Sequence, residues 1–175
     1  MTNQPTPQEI AEKAKRIYQA GDYLGAIQGY AAAACAYLDA GDAPMSAEMK
    51  NNQSVALLRN KDAQAAFEAA QGTEKIFVEI GDERRQGIAL ANQASALQAL
   101  KHFKEATDYY INAGNALESA GEIELRLEVM QLLSVLYLRR FKFYDAIIAL
   151  QSGLIAVKNP TPRQRFMKKL LSFRL

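Results

Sequence analysis

The sequence contains one histidine, His102, one cysteine, Cys35, and no tryptophan. A lone cysteine cannot form an intramolecular disulfide, and so few His and Cys side chains leave no ligand set for zinc. Any Cys–His or Ser–His chemistry would have to use His102, which falls at an expected turn between helices, where a solvated histidine is the plainer reading. Cys35 sits in an alanine-rich helical stretch with nothing in sequence to activate its thiol. No glycine-rich phosphate loop is present, and no segment reads as a β-hairpin or a β-α-β unit. These absences predict a protein that is not an enzyme and needs no cofactor or metal. No apolar run reaches the roughly 18 residues of a transmembrane helix. The start, MTNQPTPQEIAEK, is polar and lacks the basic-then-apolar order of a signal peptide. A reduced, cytoplasmic, soluble protein is the expectation.

Charge is scarce but unevenly placed. The net charge is +2, while Arg163, Arg165, Lys168, Lys169 and Arg174 put five cations and no acid into the last fourteen residues. The rest of the chain is therefore mildly acidic, which argues against nucleic acid, whose binding domains carry a broader basic surface. A length of 175 residues fits one domain, 1–175, large enough to bury a substantial core.

What the chain does contain is a period. Gly41-Asp42, Gly81-Asp82 and Gly121-Glu122 recur at intervals of 40, each after a helix-like run rich in small residues. The same step links Ala26, Ala66, Ala106 and Ala146, and it links Ala14, Ser54, Ala94 and Ser134. Ile17, Leu57, Leu97 and Tyr137 form a large, mainly apolar column in the same phase. The two small columns fit one close helix crossing per repeat, with the larger side chains packed around it. Alanine is the best helix former, so the composition agrees with an all-α fold.

The period predicts nine helices: 7–20, 23–40, 45–59, 63–80, 83–100, 103–120, 123–140, 143–158 and 162–174. They group into repeats at about 7–42, 45–82, 83–122 and 123–160, followed by the C-terminal helix. Residues 1–5 are expected to be disordered. Thr6-Pro7-Gln8-Glu9 and Thr161-Pro162-Arg163-Gln164 both read as capped helix starts. Of the turns inside the repeats, Gly21-Asp22 and Asn60-Lys61-Asp62 carry good turn residues. Those at Leu100-Lys101-His102 and Arg140-Phe141-Lys142 do not, and Phe103 and Phe143 are expected to anchor them. Gly72, Gly114 and Gly153 fall inside expected helices, where close packing would account for them.

The segments AGDYLGAIQGYAAA (20–33), LKHFKEATDYYINAGNAL (100–117) and RFKFYDAIIALQSGL (140–154) resemble the second half of a tetratricopeptide repeat. Ala14, Ile17, Gly21, Tyr23, Ala26, Tyr30 and Ala33 fit that family's pattern, over about residues 7–160. Lys50 departs from it, standing where the family has a large apolar residue, and 40 residues exceeds the usual repeat of 34. The resemblance implies a right-handed α-solenoid of four helix-turn-helix repeats with a capping helix. The first helix of each repeat would line a concave, peptide-binding groove.

On that implication the groove is lined by Gln8, Ala11, Glu12, Lys15, Tyr18 and Gln19, then by Glu48, Asn51, Asn52, Val55, Leu58 and Arg59. The third and fourth repeats add Ile88, Ala91, Asn92, Ser95, Gln98 and Ala99, and Glu128, Gln131, Leu132, Val135, Leu138 and Arg139. The candidate contacts are Lys15, Tyr18, Asn52, Val55, Leu58, Arg59, Asn92, Ser95, Gln98, Gln131, Leu138 and Arg139. Asn52 and Asn92 share a repeat position, and an amide can both donate to and accept from a peptide backbone. They could equally bridge helices or face water. A subgroup of the family grips chaperone tails through five polar residues. The matching positions here are Ala11, Lys15, Asn52, Ile88 and Asn92, of which only Asn52 agrees, so that ligand is disfavoured.

The expected function is a non-enzymatic module that binds a protein or peptide partner. The alternative is a structural protein that forms homo-oligomers through its convex face or through 162–174. The C-terminal helix has three readings: a cap on the last repeat, a contact with an anionic membrane, or a segment that docks on another copy.

Overall fold

The computed structural model describes residues 5–172 and is all-α, with ten helices and no strand among them. In order they are α1 Pro7–Gln19, α2 Tyr23–Asp39, α3 Ala43–Arg59, α4 Ala63–Ala70 and α5 Thr73–Glu79. They continue with α6 Glu83–Ala99, α7 Phe103–Ser119, α8 Ile123–Arg139, α9 Phe143–Ile155 and α10 Pro162–Ser172. Residues 1–4, within the stretch expected to be disordered, and Phe173 and Arg174, within the expected last helix, lie outside the described residues. No helix among the described residues is long and apolar enough to cross a membrane.

Helices pack mainly on their neighbours in sequence, α1 with α2, α2 with α3, and on to α10 on α9, except that α4 and α5 pack on α3 and α6 rather than on each other. The two small columns lie inside these contacts. Ala14, Ala26, Ser54, Ala66, Ala94 and Ala106 are 0% exposed, and Ser134 and Ala146 are also buried. The approach is close enough that a Cβ built on Gly29 would stand 2.8 Å from the Ala14 Cβ. Where the column holds serine, its hydroxyl is satisfied across the crossing. Ser54 donates to the Ala66 carbonyl at 2.7 Å and Ser134 to the Ala146 carbonyl at 2.9 Å. Leu90, Leu97, Tyr110, Leu117, Leu133 and Leu136 build the largest core cluster beside these contacts, between α6, α7 and α8.

The turns show a finer ruler than the sequence suggested. Left-handed residues occur at Gly21, Gly41, Lys61, Gly81, Lys101, Gly121 and Phe141, one every 20 residues. Each closes a helix in the same way. At the first, Gly21 N–H reaches the Tyr18 carbonyl and Asp22 N–H the Ile17 carbonyl; at the last, Phe141 and Lys142 do the same with Leu138 and Tyr137. The next residue along then starts the following helix. Asp22, Asp42, Asp62 and Asp82 each accept a backbone N–H three residues on, at 2.8–3.1 Å. His102, Glu122 and Lys142 make no such bond.

Two expectations change. The helix expected over 63–80 is broken at Gln71-Gly72, because Gly72 takes φ +81° and stops α4. Thr73 is thereby aimed at the Ala70 carbonyl and at Asn51. Gly114 and Gly153 do pack closely: a Cβ on either would collide with Met130. Of the expected turn anchors, Phe103 is half-buried beneath the Arg140 guanidinium, 5.7 Å from its ring centre. Phe143 instead is 59% exposed, with the Phe141 ring edge-on at 6.3 Å. Both expected capping boxes are present, Glu9 bonding back to Thr6 and Gln164 to Thr161.

The cap pattern yields two predictions. His102→Asp supplies the missing acceptor and should add about 1 kcal/mol, a rise of roughly 2–4 °C in the thermal midpoint for a domain of this size. An unchanged or lower midpoint would show that packing, not capping, fixes this turn. Asp82 is held below the usual carboxylate range, first by the Arg85 backbone N–H, with the Arg85 side chain adding to the effect. A carboxyl lowered on folding stabilises above its unfolded pKa, about 4, and loses that contribution as pH falls through the lower folded value. Asp82→Ala should therefore cost about 1 kcal/mol at neutral pH. The gap from the parent protein in urea unfolding should narrow at pH 3, and a constant gap would refute the assignment.

Candidate functional site

The twelve candidate residues lie on α1, α3, α6 and α8, and the structure joins them in small groups. Tyr18, near the end of α1, is half-buried with its ring 5.6 Å from that of Tyr23. Arg59, at the end of α3, reaches back to this pair. The neighbouring Tyr18 hydroxyl is the main cause that raises the Arg59 pKa above the ordinary value. Tyr23 adds to the same upward shift, so Arg59 lies near the aromatic pair of the preceding repeat.

The same two positions, two repeats later, are Gln98 and Arg139. Here the Tyr110 hydroxyl is the hub. It donates to Gln98 Oε1 at 3.2 Å and lies 3.1 Å from Ser95 Oγ, which itself reaches the Ala91 carbonyl at 2.9 Å. Tyr110 is 1% exposed, and burial pushes its pKa up, partly offset by the Ser95 bond and the Arg139 charge. Ser95 and Gln98 therefore satisfy a buried phenol as well as presenting polar atoms to the surface.

Asn52 and Asn92 are each half-buried, and neither amide forms a hydrogen bond among the described residues. That combination leaves a donor and an acceptor on each, at equivalent places on α3 and α6. Asn51, one residue earlier, has a different fate. It was expected to face a groove, but it is 4% exposed, donates to the Ala47 carbonyl at 3.1 Å and accepts from Thr73 Oγ1 at 3.2 Å. It ties α3 to α5 and is structural.

Of the remaining candidates, Lys15, Gln131 and Arg139 are exposed, Val55 is half-buried, and Leu58 packs beside Leu57, Ala66 and Ala96. Leu138 is exposed together with Leu132 and Val135, so the apolar surface of this face concentrates on α8. The face offers amides, cations, a phenol and aliphatic side chains.

His102 heads α7 with its ring 3.7 Å from the exposed Glu105 carboxylate, and Cys35 is exposed on α2. Among the described residues no group of three His, Cys, Asp or Glu side chains could hold a metal. One residue escaped the sequence reading. Arg126 on α8 donates to the Ser152 carbonyl and pairs with Glu118 at 3.3 Å, while its Nε is buried without a partner among the described residues. It borders an open cavity of about 220 Å³ between α7, α8 and α9, with Ile111, Met130 and Ile148 among its walls. A lone arginine on a helix carries no sequence signal that would separate it from a solvated one.

The chain matches no family model and no curated protein. Its functional reading thus rests on the side chains above.

Proposed function

We propose that the chain is a non-enzymatic interaction module. Four tetratricopeptide-like helix pairs would stack as a right-handed solenoid capped by α10, with α1, α3, α6 and α8 lining a groove that holds a partner's peptide or helix. The observation that carries this reading is the pair Asn52 and Asn92. Both are half-buried, both lack hydrogen bonds among the described residues, and both stand at one repeat position. Each side chain keeps a donor and an acceptor within reach of a ligand, and an extended backbone laid across α3 and α6 can pair with both.

The neighbouring groups supply the rest of a recognition surface. Arg59 and Arg139 offer charge-assisted bonds to a ligand carboxylate or carbonyl. Tyr18, Leu58 and Leu138, which share one repeat position, offer apolar contact. The frame holding them is rigid because each helix is locked to its neighbours, so little ordering cost is left for binding. The module would be one domain acting in the cytoplasm.

The test is a displayed library of random peptides selected on the full chain, followed by fluorescence anisotropy on the best ligand. Two lost amide contacts at about 1 kcal/mol each predict that Asn52→Ala with Asn92→Ala weakens that ligand roughly thirtyfold. The thermal midpoint should change little. Unchanged affinity would discard the amide clamp.

A further inference from the structure

The last helix has more apolar surface than its packing uses. On α10, Met167 and Leu171 face inward and join Leu127, Leu154 and Val157 in a small core cluster. The Lys168 ammonium donates to the Val157 and Ile155 carbonyls at 2.9 and 3.4 Å, and Gln151 donates to the Leu171 carbonyl, so the helix is pinned against the end of α9. These contacts account for a cap. They do not account for Phe166 and Leu170, which are 66% and 60% exposed. The two lie one helical turn apart, a spacing that Phe173 continues in the sequence.

The charge around that second stripe is of one sign. From residue 146 to the end of the sequence there is no acid, while Lys158, Arg163, Arg165, Lys168 and Lys169 are basic. Arg163, Arg165 and Lys169 are exposed on the helix that carries Phe166 and Leu170. All of the acidic residues belong to the preceding part of the chain, whose net charge is negative, so the sequence is polarised, with an unbalanced positive charge at this end.

We infer that α10 docks this end of the protein on an anionic lipid surface, with Phe166 and Leu170 entering the headgroup boundary and Arg163, Arg165 and Lys169 lying over acidic headgroups. Stable surface binding needs two signals, an apolar insertion and a basic cluster, and α10 carries both. The helix is already folded and held by Met167, Leu171 and Lys168, so the surface need not order it. A phosphate backbone would reward the cations but leave the Phe–Leu stripe in water. A second copy would bring like charge against like charge. A bilayer of acidic lipid complements both features. The inference is independent of the groove reading, because none of the groove candidates lies on α10.

The test is co-sedimentation of the full chain with vesicles of phosphatidylcholine alone and of phosphatidylcholine with phosphatidylserine. The protein should pellet with the acidic vesicles only, and added salt should release it. Phe166→Ser with Leu170→Ser removes exposed side chains, so the helical melting curve should be preserved while vesicle binding falls at least about tenfold. Reversing one cation, as in Arg163→Glu, should weaken binding by about fivefold or more. Equal or absent binding to the two vesicle types overturns the inference, as does a stripe variant that pellets like the parent. So does a parent protein that ignores vesicles but sediments as a dimer which the stripe variant dissociates, a result that assigns the stripe to a second copy.

Discussion

The close crossing of paired helices is the constraint on which the rest depends. Two helices can approach this tightly only where both present small side chains, and the chain meets that need with alanine or serine at every crossing. A methyl group on each side leaves the backbones in contact, and neighbouring Leu, Tyr and Phe side chains then fill the flanks at the density of a protein interior. The serines at Ser54 and Ser134 show how narrow the tolerance is. Each is accepted because its hydroxyl finds a carbonyl across the contact, which removes the penalty of burying a polar atom.

The turns serve this geometry. A left-handed residue every 20 positions gives the seven turns one closure and keeps successive crossings in step. The first four helices started this way are held by an aspartate, whereas His102, Glu122 and Lys142 leave the later starts to packing. The polar side chains of the candidate groove inherit their positions from the same register. Arg59 lies close to Tyr18, and the Arg139 charge is felt at the Tyr110 hydroxyl that bonds Gln98.

Much of this was legible in the sequence because it is periodic. The seam columns, the all-α class, both capping boxes and most helix limits follow from a 40-residue step and standard cap residues. What was not legible has local causes. A glycine inside a helix and one that stops a helix look alike in sequence, so the left-handed turn at Gly72 could not be told from the packed glycines 114 and 153. Asn51 and Asn52 differ by one position, about 100° around a helix, and only the geometry shows that the first is spent on Thr73. Lys101 and Phe141 adopt the left-handed turn without being residues that favour it, so the 20-residue ruler was hidden behind the 40-residue one. In the candidate site, the availability of Asn52 and Asn92 and the bonds around Tyr110 needed coordinates, because hydrogen-bond partners on other helices leave no trace in spacing.

The terminal helix carries the same logic to the end of the array. α10 lends Met167 and Leu171 to α9, yet keeps a second apolar stripe among cations. The central claim concerns the seam itself, and replacing one seam alanine tests it most directly. Ala66→Leu and Ala106→Leu should each overpack a crossing and lower the free energy of urea unfolding by roughly 1–3 kcal/mol, whereas Ala32→Leu, on the exposed side of α2, should change it little. Seam variants as stable as the parent would contradict the account.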